Sequence, residues 1–193
     1  EKIVSLLNKI RQTLFFCATM PPEIRHLVDL FLINPKEISV TRPATLSQNT
    51  EQGLLIIPHH SKRDIAALQK KKRSALRLLI RQENVKNALI FCNRKRDVDI
   101  VHKSLQKHGF NTATLHGDMS QPARMETMER FKSGKIILLV CSDVAARGLD
   151  IDDLSHVFNF DVPTHAEDYV HRIGRTGRAG KTGKAITIAW KEE

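Results

Sequence analysis

Aromatic residues are scarce in this chain of 193 residues, at 5% of the sequence with one Trp and one Tyr. The chain therefore has too few aromatic rings to favour a surface that binds nucleic acid by stacking bases on them. Acidic residues are also outnumbered, because 31 Lys and Arg against 21 Asp and Glu give a net charge of +10. This surplus favours a polyanionic partner, although anionic lipid would satisfy it equally. With few aromatic rings, the backbone phosphate of a nucleic acid is the expected target.

Long apolar runs and paired cysteines are missing as well. The longest apolar runs, such as residues 136–141, are far below the ~20 residues that a membrane-spanning helix needs. Residues 1–5 lack the ordered features of a signal or transit peptide, so we expect neither, and no membrane segment. The three cysteines, Cys17, Cys92 and Cys141, are odd in number and each lies in an apolar run. They predict reduced core thiols in a cytoplasmic protein.

The sequence contains no complete Walker-type phosphate loop and no Asp-Glu pair at the end of an apolar strand that could hold magnesium. Residues 180–182 (Gly-Lys-Thr) resemble the end of such a loop. That motif, however, needs a Gly where Arg175 stands, and its strand comes before the loop rather than after it. The carboxylates of Asp150, Asp152 and Asp153 lack further spaced ligands and predict no metal site. We therefore expect the chain alone not to activate a triphosphate.

Short apolar runs rich in branched residues predict buried strands of a parallel sheet, because they hardly alternate polar with apolar positions. The predicted strands are residues 54–57, 88–92, 136–141, 157–160 and 185–190. Helical periods lie between them, including one that ends at Gly109 and one that ends at Gly134. Strands and helices in alternation predict right-handed crossovers and an open α/β sheet.

The first forty residues predict a separate piece. Residues 14–17 are predicted to form a buried strand, and Pro21 opens a helix. Residues 41–53 are polar without an apolar period and predict an interdomain linker, so the main domain takes in residues 54–193. An apolar strand without neighbouring strands must be covered by another surface to keep its side chains from water. We expect the first piece to dock on the main domain or to swap into a neighbouring molecule, as a dimer.

A very basic stretch, residues 59–83, is centred on residues 70–73 (Lys-Lys-Lys-Arg). Apolar positions at helical spacing favour one or two amphipathic helices whose basic face is solvated. A dedicated RNA patch is the alternative.

The sharpest motif is His-Arg-Ile-Gly-Arg-Thr-Gly-Arg at residues 171–178. Arg172, Arg175 and Arg178 recur at every third position, so on a helix their guanidinium groups project from nearby azimuths. The guanidinium group suits phosphate, and the glycines leave room for a bulky anion. A collagen period is excluded because the triplets contain no proline. Apolar neighbours disfavour a disordered arm, so we predict a helix followed by a loop.

A second polar group directly follows the predicted strand 136–141. Residues 142–150 (Ser-Asp-Val-Ala-Ala-Arg-Gly-Leu-Asp) lie where ligands of open α/β sheets gather. Ser142 can donate to a phosphate, and Asp150 can accept from ribose hydroxyls. The alternative is a short helical turn held by an ion pair from Asp143 to an arginine.

A third group combines residues 116–118 (His-Gly-Asp) with Gln121 and Arg124, after a short strand and at the start of a helix. Gly117 admits a close backbone approach, and the N–H groups of a helix start favour phosphate. Taken singly, each of these residues is explained as well by a turn or a cap.

Together these stretches resemble the second RecA-like domain of the DEAD-box RNA helicases, which are superfamily-two helicases. The resemblance is carried, in the family's order, by residues 17–19, 89–95, 116–124, 142–150 and 171–178. It implies a RecA-like open parallel sheet with helices on both faces, a three-layer α/β/α fold of the P-loop NTPase type. It also implies that the chain is the C-terminal half of an ATP-dependent RNA helicase. ATP is the implied cofactor, with Mg²⁺ held by the first RecA-like domain.

The resemblance implies a role in ATP hydrolysis for several residues. Arg175 and Arg178 correspond to the arginine fingers that reach the γ-phosphate across the interdomain cleft. Asp150 corresponds to the carboxylate that binds the ribose and positions the fingers. His171, grouped with the catalytic residues, and Arg172 correspond to contacts that sense the first domain.

RNA is the implied partner, bound through its sugar–phosphate backbone independently of sequence. The implied RNA contacts are Arg94, Gly117, Gln121, Arg124 and Ser142. Cys17, Ala18 and Thr19 correspond to the Ser-Ala-Thr segment that couples hydrolysis to unwinding, with Cys in place of the usual Ser. Residues 59–69 depart from the family pattern and predict a local insertion.

Two other functions stay open. The first is a non-catalytic RNA-binding module on the same fold, against which the retained arginines and Asp150 argue. The second is a DNA-directed superfamily-two helicase. The motifs at residues 145–150 and 171–178 resemble those of the RNA helicases more than those of the DNA-directed enzymes.

Overall fold

The apolar runs of the sequence form a parallel sheet in a computed structural model of the protein. The structure describes every residue except 1, 9, 18, 19, 21, 40–48, 59–63, 147–150, 152, 153 and 179. The described strands are β1 (Thr50–Ile57), β2 (Ala88–Phe91), β3 (Thr112–Leu115), β4 (Leu138–Cys141), β5 (His156–Asn159) and β6 (Gly183–Trp190). They form one sheet in the order β1-β6-β5-β2-β4-β3, with every pair parallel.

Helices cover both faces of this sheet. The described helices are α1 (Lys2–Ser5), α2 (Pro22–Phe31), α3 (Ile65–Gln82), α4 (Lys95–Lys107), α5 (Gln121–Lys132), α6 (Asp143–Ala146) and α7 (Ala166–Ile173). Along β2, Ala88 and Ile90 pack with α3 and α4, while Leu89 and Phe91 pack with α5, α6 and α7. The period of two along a strand produces these two cores. The predicted three-layer α/β/α fold is therefore confirmed.

Within the basic stretch, Ile65–Gln82 form a single helix, α3. Its start is fixed by Asp64, whose side chain accepts a hydrogen bond from the N–H of Ala67 at 2.8 Å. Leu68, Leu76 and Ile80 are buried against the sheet. The predicted insertion at residues 59–69 falls partly on residues 59–63, which lie outside the described residues.

Strand β1 begins four residues before the predicted strand. Thr50–Gly53, assigned to the linker 41–53, belong to the sheet and pair with β6. The apolar pattern missed them because Glu51 and Gln52 are polar, which an edge strand tolerates where its side chains reach solvent. The part of the predicted linker at residues 41–48 lies outside the described residues.

The chain divides into two compact units, Glu1–Pro43 and Ala44–Glu193. In the first unit the predicted helix is confirmed as α2, but the strand predicted for residues 14–17 is wrong, because Leu14 and Phe16 are 70% and 89% exposed. An apolar run forms a buried strand only beside partner strands, and none is described in this unit. The docking of the first forty residues stays a prediction. Of the helices described, none combines the length and apolar character that crossing a bilayer requires.

The cysteines differ in exposure, which gives a first testable prediction. Cys92 and Cys141 are buried as predicted, whereas Cys17, predicted to be a core thiol, is exposed. Burial raises the pKa of the Cys92 and Cys141 thiols well above the ordinary range. We expect a thiol reagent to modify one cysteine of the native chain at pH 8 and all three in denaturant. Mass spectrometry after Cys17→Ser checks the assignment, and rapid modification of that variant would contradict it.

Candidate functional site

Three adjacent strands end next to one another and supply the acceptors for a single arginine. β2 lies between β4 and β5 in the sheet. Asn93 follows β2, Asp143 follows β4, and Asp161 follows β5. Parallel strands have their carboxyl ends at the same edge, so these three residues come together although up to 68 positions separate them in sequence. The carboxyl edge is where open α/β sheets build their sites.

Arg172 of α7 occupies the space between these strand ends and is 1% exposed. Its Nε and Nη2 donate to the two carboxylate oxygens of Asp143, each at 2.6 Å. Nη1 donates to the main-chain oxygen of Asp161 at 2.7 Å, and Nη2 to Oδ1 of Asn93 at 2.6 Å. Its guanidinium carbon also lies 5.2 Å from the ring centroid of Phe91. The bidentate geometry makes this a strong, oriented ion pair.

This geometry separates Arg172 from the other two arginines of the motif. The sequence left open a helical turn held by an ion pair from Asp143 to an arginine, and the structure contains that pair. The Arg172 guanidinium is thus bonded inside the domain, a structural role. Its assignment as a contact with the first domain stays a prediction that the burial does not favour.

The segment after α7 is bonded to the opposite edge of the sheet. Thr176 is buried and donates from its hydroxyl to the main-chain oxygen of Leu154, just before β5. Gly177 has a φ of +69°, and a Cβ there would collide with Thr50 at the start of β1. Only glycine accommodates both constraints. The turn that follows α7 therefore lies between two anchors, Arg172 at the carboxyl edge and Thr176 at the amino edge.

Arg175 lies between these two anchors. Its N–H donates to the main-chain oxygen of Arg172 at 3.2 Å, and its side chain is half-buried. Arg178 is exposed, and its Nε donates to the main-chain oxygen of Gly174. His171, also exposed, shares a small depression of about 20 Å³ with Arg175 and Asp168. The structure thus brings His171 and Arg175 together and leaves Arg178 on the surface beside them.

The residues predicted to contact RNA follow three adjacent strands at the carboxyl edge. Arg94 comes after β2, Gly117 after β3, and Ser142 after β4, while Gln121 and Arg124 belong to the first turn of α5. Arg94, Gly117 and Gln121 are exposed, and Ser142 and Arg124 are half-buried. A Cβ at Gly117 would meet only open space, so the residue leaves the surface accessible.

Two contacts order this surface. Arg124 donates from Nη2 to the main-chain oxygen of Ala145 at 3.3 Å, which ties α5 to α6. Lys95 and Asp118 form an exposed ion pair at 2.8 Å between the ends of β2 and β3. Their hydrogen bond raises the pKa of Lys95 and lowers the pKa of Asp118.

Other predicted site residues lie outside the described residues or belong to the other unit. Asp150, Ala18 and Thr19 lie outside the described residues, so their roles stay predictions. Cys17 belongs to the first unit, where it is exposed. Within the described ranges, no three His, Cys, Asp or Glu side chains are close enough to hold a metal ion.

Sequence reasoning missed Asn93 and Asp161 as parts of the site. Each directly follows an apolar strand, as Ser142 does, and that position is the signal that could have found them. It also missed Lys72, a fully buried residue of α3 whose ammonium lies 3.8 Å from Asp161. The run of basic residues around Lys72 concealed it.

Comparisons with known proteins agree with the fold and the motifs. Residues 70–180 match the model of the helicase conserved C-terminal domain. The whole chain is 40% identical, over 196 aligned residues, to the DEAD-box ATP-dependent RNA helicase CshA of Bacillus licheniformis, of which it spans 38%.

Two solved structures are similar in fold. The DEAD box protein of the hyperthermophile Methanococcus jannaschii is 36% identical with a TM-score of 0.66, over 99% of this chain and 48% of that one. S. cerevisiae Dbp5 bound to RNA and ADP BeF3 is 25% identical with a TM-score of 0.77, over 98% of this chain and 48% of that one. The chain thus spans less than half the length of these relatives.

Proposed function

Because the chain belongs to the DEAD-box RNA helicases and contains their RecA-like C-terminal domain, we propose that it is one half of an ATP-dependent RNA helicase. In this proposal Arg175 and Arg178 are the arginine fingers that complete the ATP site of a first RecA-like domain. The carboxyl edge of β2, β3 and β4 grips the RNA backbone. The enzyme acts in the cytoplasm, where its cysteines, none of them in a disulfide, stay reduced.

The observation that carries the proposal is that the chain is anchored on both sides of Arg175. Arg172 bonds to three strand ends at one edge of the sheet, and Thr176 bonds at the other. Arg175 lies between them, so its backbone is fixed before any nucleotide arrives. A guanidinium group held in place stabilises charge in a transition state without reorganising at the moment of reaction. An anchored backbone narrows the positions open to the Arg175 guanidinium, which favours a role as a finger residue.

The chemistry follows from charge. The terminal phosphoryl group gains charge on its oxygens as its bond to ADP breaks, and a guanidinium at this point stabilises the transition state more than bound ATP. The first domain supplies the phosphate loop and Mg²⁺. The side chains described in this chain do not fit a metal site. Asp150, in the same proposal, accepts hydrogen bonds from the ribose.

RNA binding rests on cations and small residues rather than aromatic rings. In this proposal the Arg94 and Arg124 guanidinium groups and the Ser142 hydroxyl bind phosphates and sugars of the RNA. Dbp5, whose structure is bound to RNA and ADP BeF3, shares this fold over 98% of the chain. Contacts to the backbone alone carry no sequence information, so binding is independent of sequence. Closure of two domains on one strand would bend it and separate a short duplex.

The isolated chain offers a direct test of the RNA surface. We expect weak binding to single-stranded RNA with equal affinity for unrelated sequences and negligible ATPase activity. Each phosphate contact on a single strand contributes about −0.7 to the slope of log K against log salt. Arg94→Ala is therefore expected to make this slope shallower by about 0.7. Fluorescence anisotropy of a labelled RNA, repeated across a salt series, measures it.

Arg130→Ala is the matched control, because Arg130 lies in the last turn of α5 and pairs with Glu126 on the same helix. It should leave the slope unchanged. Equal effects of the two substitutions would contradict the assigned RNA surface. Preference for DNA of the same sequence in a competition would favour a DNA-directed enzyme. If the first RecA-like domain is added and no RNA-stimulated ATPase activity appears, a non-catalytic RNA-binding module is favoured.

A further inference from the structure

Lys72, which belongs to none of the motifs, is connected to Arg172 of α7 through Asp161 and Asn93. Lys72 is 0% exposed, although it lies in the most basic stretch of the chain. Its Nζ lies 3.8 Å from Oδ1 of Asp161 and 2.9 Å from Oε2 of Glu193. The same ammonium is 5.4 Å from the ring centroid of Phe160. A charge so fully removed from water persists only with partners of opposite charge.

Asp161 links this lysine to the functional site. Its carboxylate Oδ2 accepts a hydrogen bond from the N–H of Asn93 at 3.0 Å. Its main-chain oxygen accepts from Arg172 Nη1, and the side-chain oxygen of Asn93 accepts from Arg172 Nη2. The contacts therefore run without a break from Lys72 in α3, through the ends of β5 and β2, to Arg172 in α7. Asp143, which accepts from Arg172, is the last residue in this series of contacts.

The orientation of Asp161 depends on this neighbouring cation. Its side chain is 11% exposed, and among the described residues Lys72 is the cation that pairs with it. Without the ammonium, the carboxylate would stay buried with one N–H donor, which is costly. It would take up a proton or turn toward water. Either change disturbs the peptide whose oxygen accepts from Arg172, since side chain and carbonyl belong to one residue.

We propose that Lys72 is a positioning residue for ATP hydrolysis, which orients Asp161 and thereby fixes Arg172 and the turn after α7 that contains Arg175. Lys72 touches neither nucleotide nor RNA in this proposal, which rests on the proposed function of Arg175. The alternative is that Lys72 only fills the core and stabilises the fold. The two differ in what happens to the turnover of a variant that is still folded.

The experiment compares Lys72→Met with Lys71→Met in the two-domain enzyme. Met is also unbranched, is one atom shorter than lysine, and carries no charge. Lys71 is exposed and, among the described residues, its ammonium donates to the main-chain oxygen of Pro58 at 3.2 Å, so it is a matched control. At a temperature well below the melting point of each variant, Lys72→Met is expected to lower kcat for RNA-stimulated ATP hydrolysis roughly 10- to 100-fold. Its KM for ATP stays unchanged, and Lys71→Met has no effect.

A second variant separates positioning from simple instability. Lys72→Met with Asp161→Asn removes the ammonium and the Asp161 carboxylate, while Glu193, whose side chain is 27% exposed, keeps access to water. The amide oxygen of the new side chain can still accept from the N–H of Asn93. It is expected to recover most of the lost kcat. A double variant no better than Lys72→Met alone would overturn the proposal, as would a Lys72→Met enzyme with unchanged kcat.

The pH dependence of unfolding tests the ion pair without any activity. Burial already raises the pKa of Asp161, and Lys72 opposes that rise. Loss of Lys72 therefore raises the pKa of Asp161 further, so the buried carboxyl is neutral over a wider acidic range. The stability lost in Lys72→Met is expected to be largest near pH 7 and to shrink as the pH falls. Asp97 and Glu193 also face this carboxyl, and their negative charges raise the pKa of Asp161, in opposition to Lys72. A deficit independent of pH would show that no ion pair was lost.

The outcomes also distinguish this inference from the proposed function. If Arg175→Ala leaves ATP hydrolysis intact, the assignment of Arg175 as a finger is rejected, whatever the result for Lys72→Met. If Arg175→Ala abolishes hydrolysis while Lys72→Met turns over normally, only the positioning role is rejected.

Discussion

Arg178→Ala in the two-domain enzyme is expected to lower kcat for ATP hydrolysis by roughly 10³- to 10⁵-fold, the range observed for arginine fingers. ATP binding stays largely intact, because the guanidinium group is needed most where charge grows on the departing phosphoryl group. The same result is expected for Arg175→Ala. Single-turnover hydrolysis together with binding of a fluorescent nucleotide separates the two effects. Loss of binding equal to the loss of rate would contradict the finger role.

Stability provides the control for this prediction. Arg178 is exposed, so its replacement should change the free energy of unfolding by less than about 0.5 kcal/mol. Arg178→Lys keeps the charge but loses the planar fork of donors, and we expect it to recover little of the rate. Full recovery by lysine would show that a point charge suffices.

Arg172→Met is expected to destabilise the chain by about 3–5 kcal/mol, the cost of breaking a buried ion pair by removing one partner. The substitution leaves the Asp143 carboxylate without its cation, and it also leaves Asn93 and the Asp161 carbonyl without their donor. Domains of this kind have only about 5–15 kcal/mol of stability, so the variant is expected to unfold at a much lower urea concentration. Urea denaturation followed by circular dichroism measures this shift.

Arg96→Met is the matched control, since the Arg96 side chain is 75% exposed and lies 3.7 Å from Asp97. A weak surface pair contributes about 0–1 kcal/mol, so little should change. Arg172→Met with Asp143→Asn should lose less than Arg172→Met alone, because the unpaired carboxylate is gone. Equal, small losses for Arg172→Met and Arg96→Met would contradict the role of Arg172 as an anchor.

The strands were the most predictable part of the fold. Buried parallel strands need apolar side chains on both faces, so β2 and β4 are visible as short continuous apolar runs. The first four residues of β1 escaped this pattern, because an edge strand with exposed side chains accepts Glu51 and Gln52. Residues 14–17 have the same apolar character but form no strand. The sequence of a run does not say whether a neighbouring strand is there to bond with it.

The site was less predictable than the sheet. The spacing of three arginines along residues 171–178 gives all of them the same expected role. Their difference arises from Asn93, Asp143 and Asp161, which are remote in sequence and meet only at the edge of the folded sheet. Arg172 binds them and is buried, whereas Arg175 and Arg178 follow beyond it. The resemblance to a family assigned a role to each arginine, but only the folded structure distinguishes the buried Arg172 from Arg175 and Arg178.

The pairing of β1 has a consequence for synthesis on the ribosome. Among the described strands, β1 bonds only to β6, and the register joins Thr50 to Gly183 and Ile57 to Trp190. The nascent chain must therefore grow by more than a hundred residues before this edge can close, a delay on the order of ten seconds at ordinary rates of translation. During that interval Leu54 and Ile56 have no adjoining strand. During this interval β1 is thus the strand of this domain most exposed to chaperone capture and to aggregation.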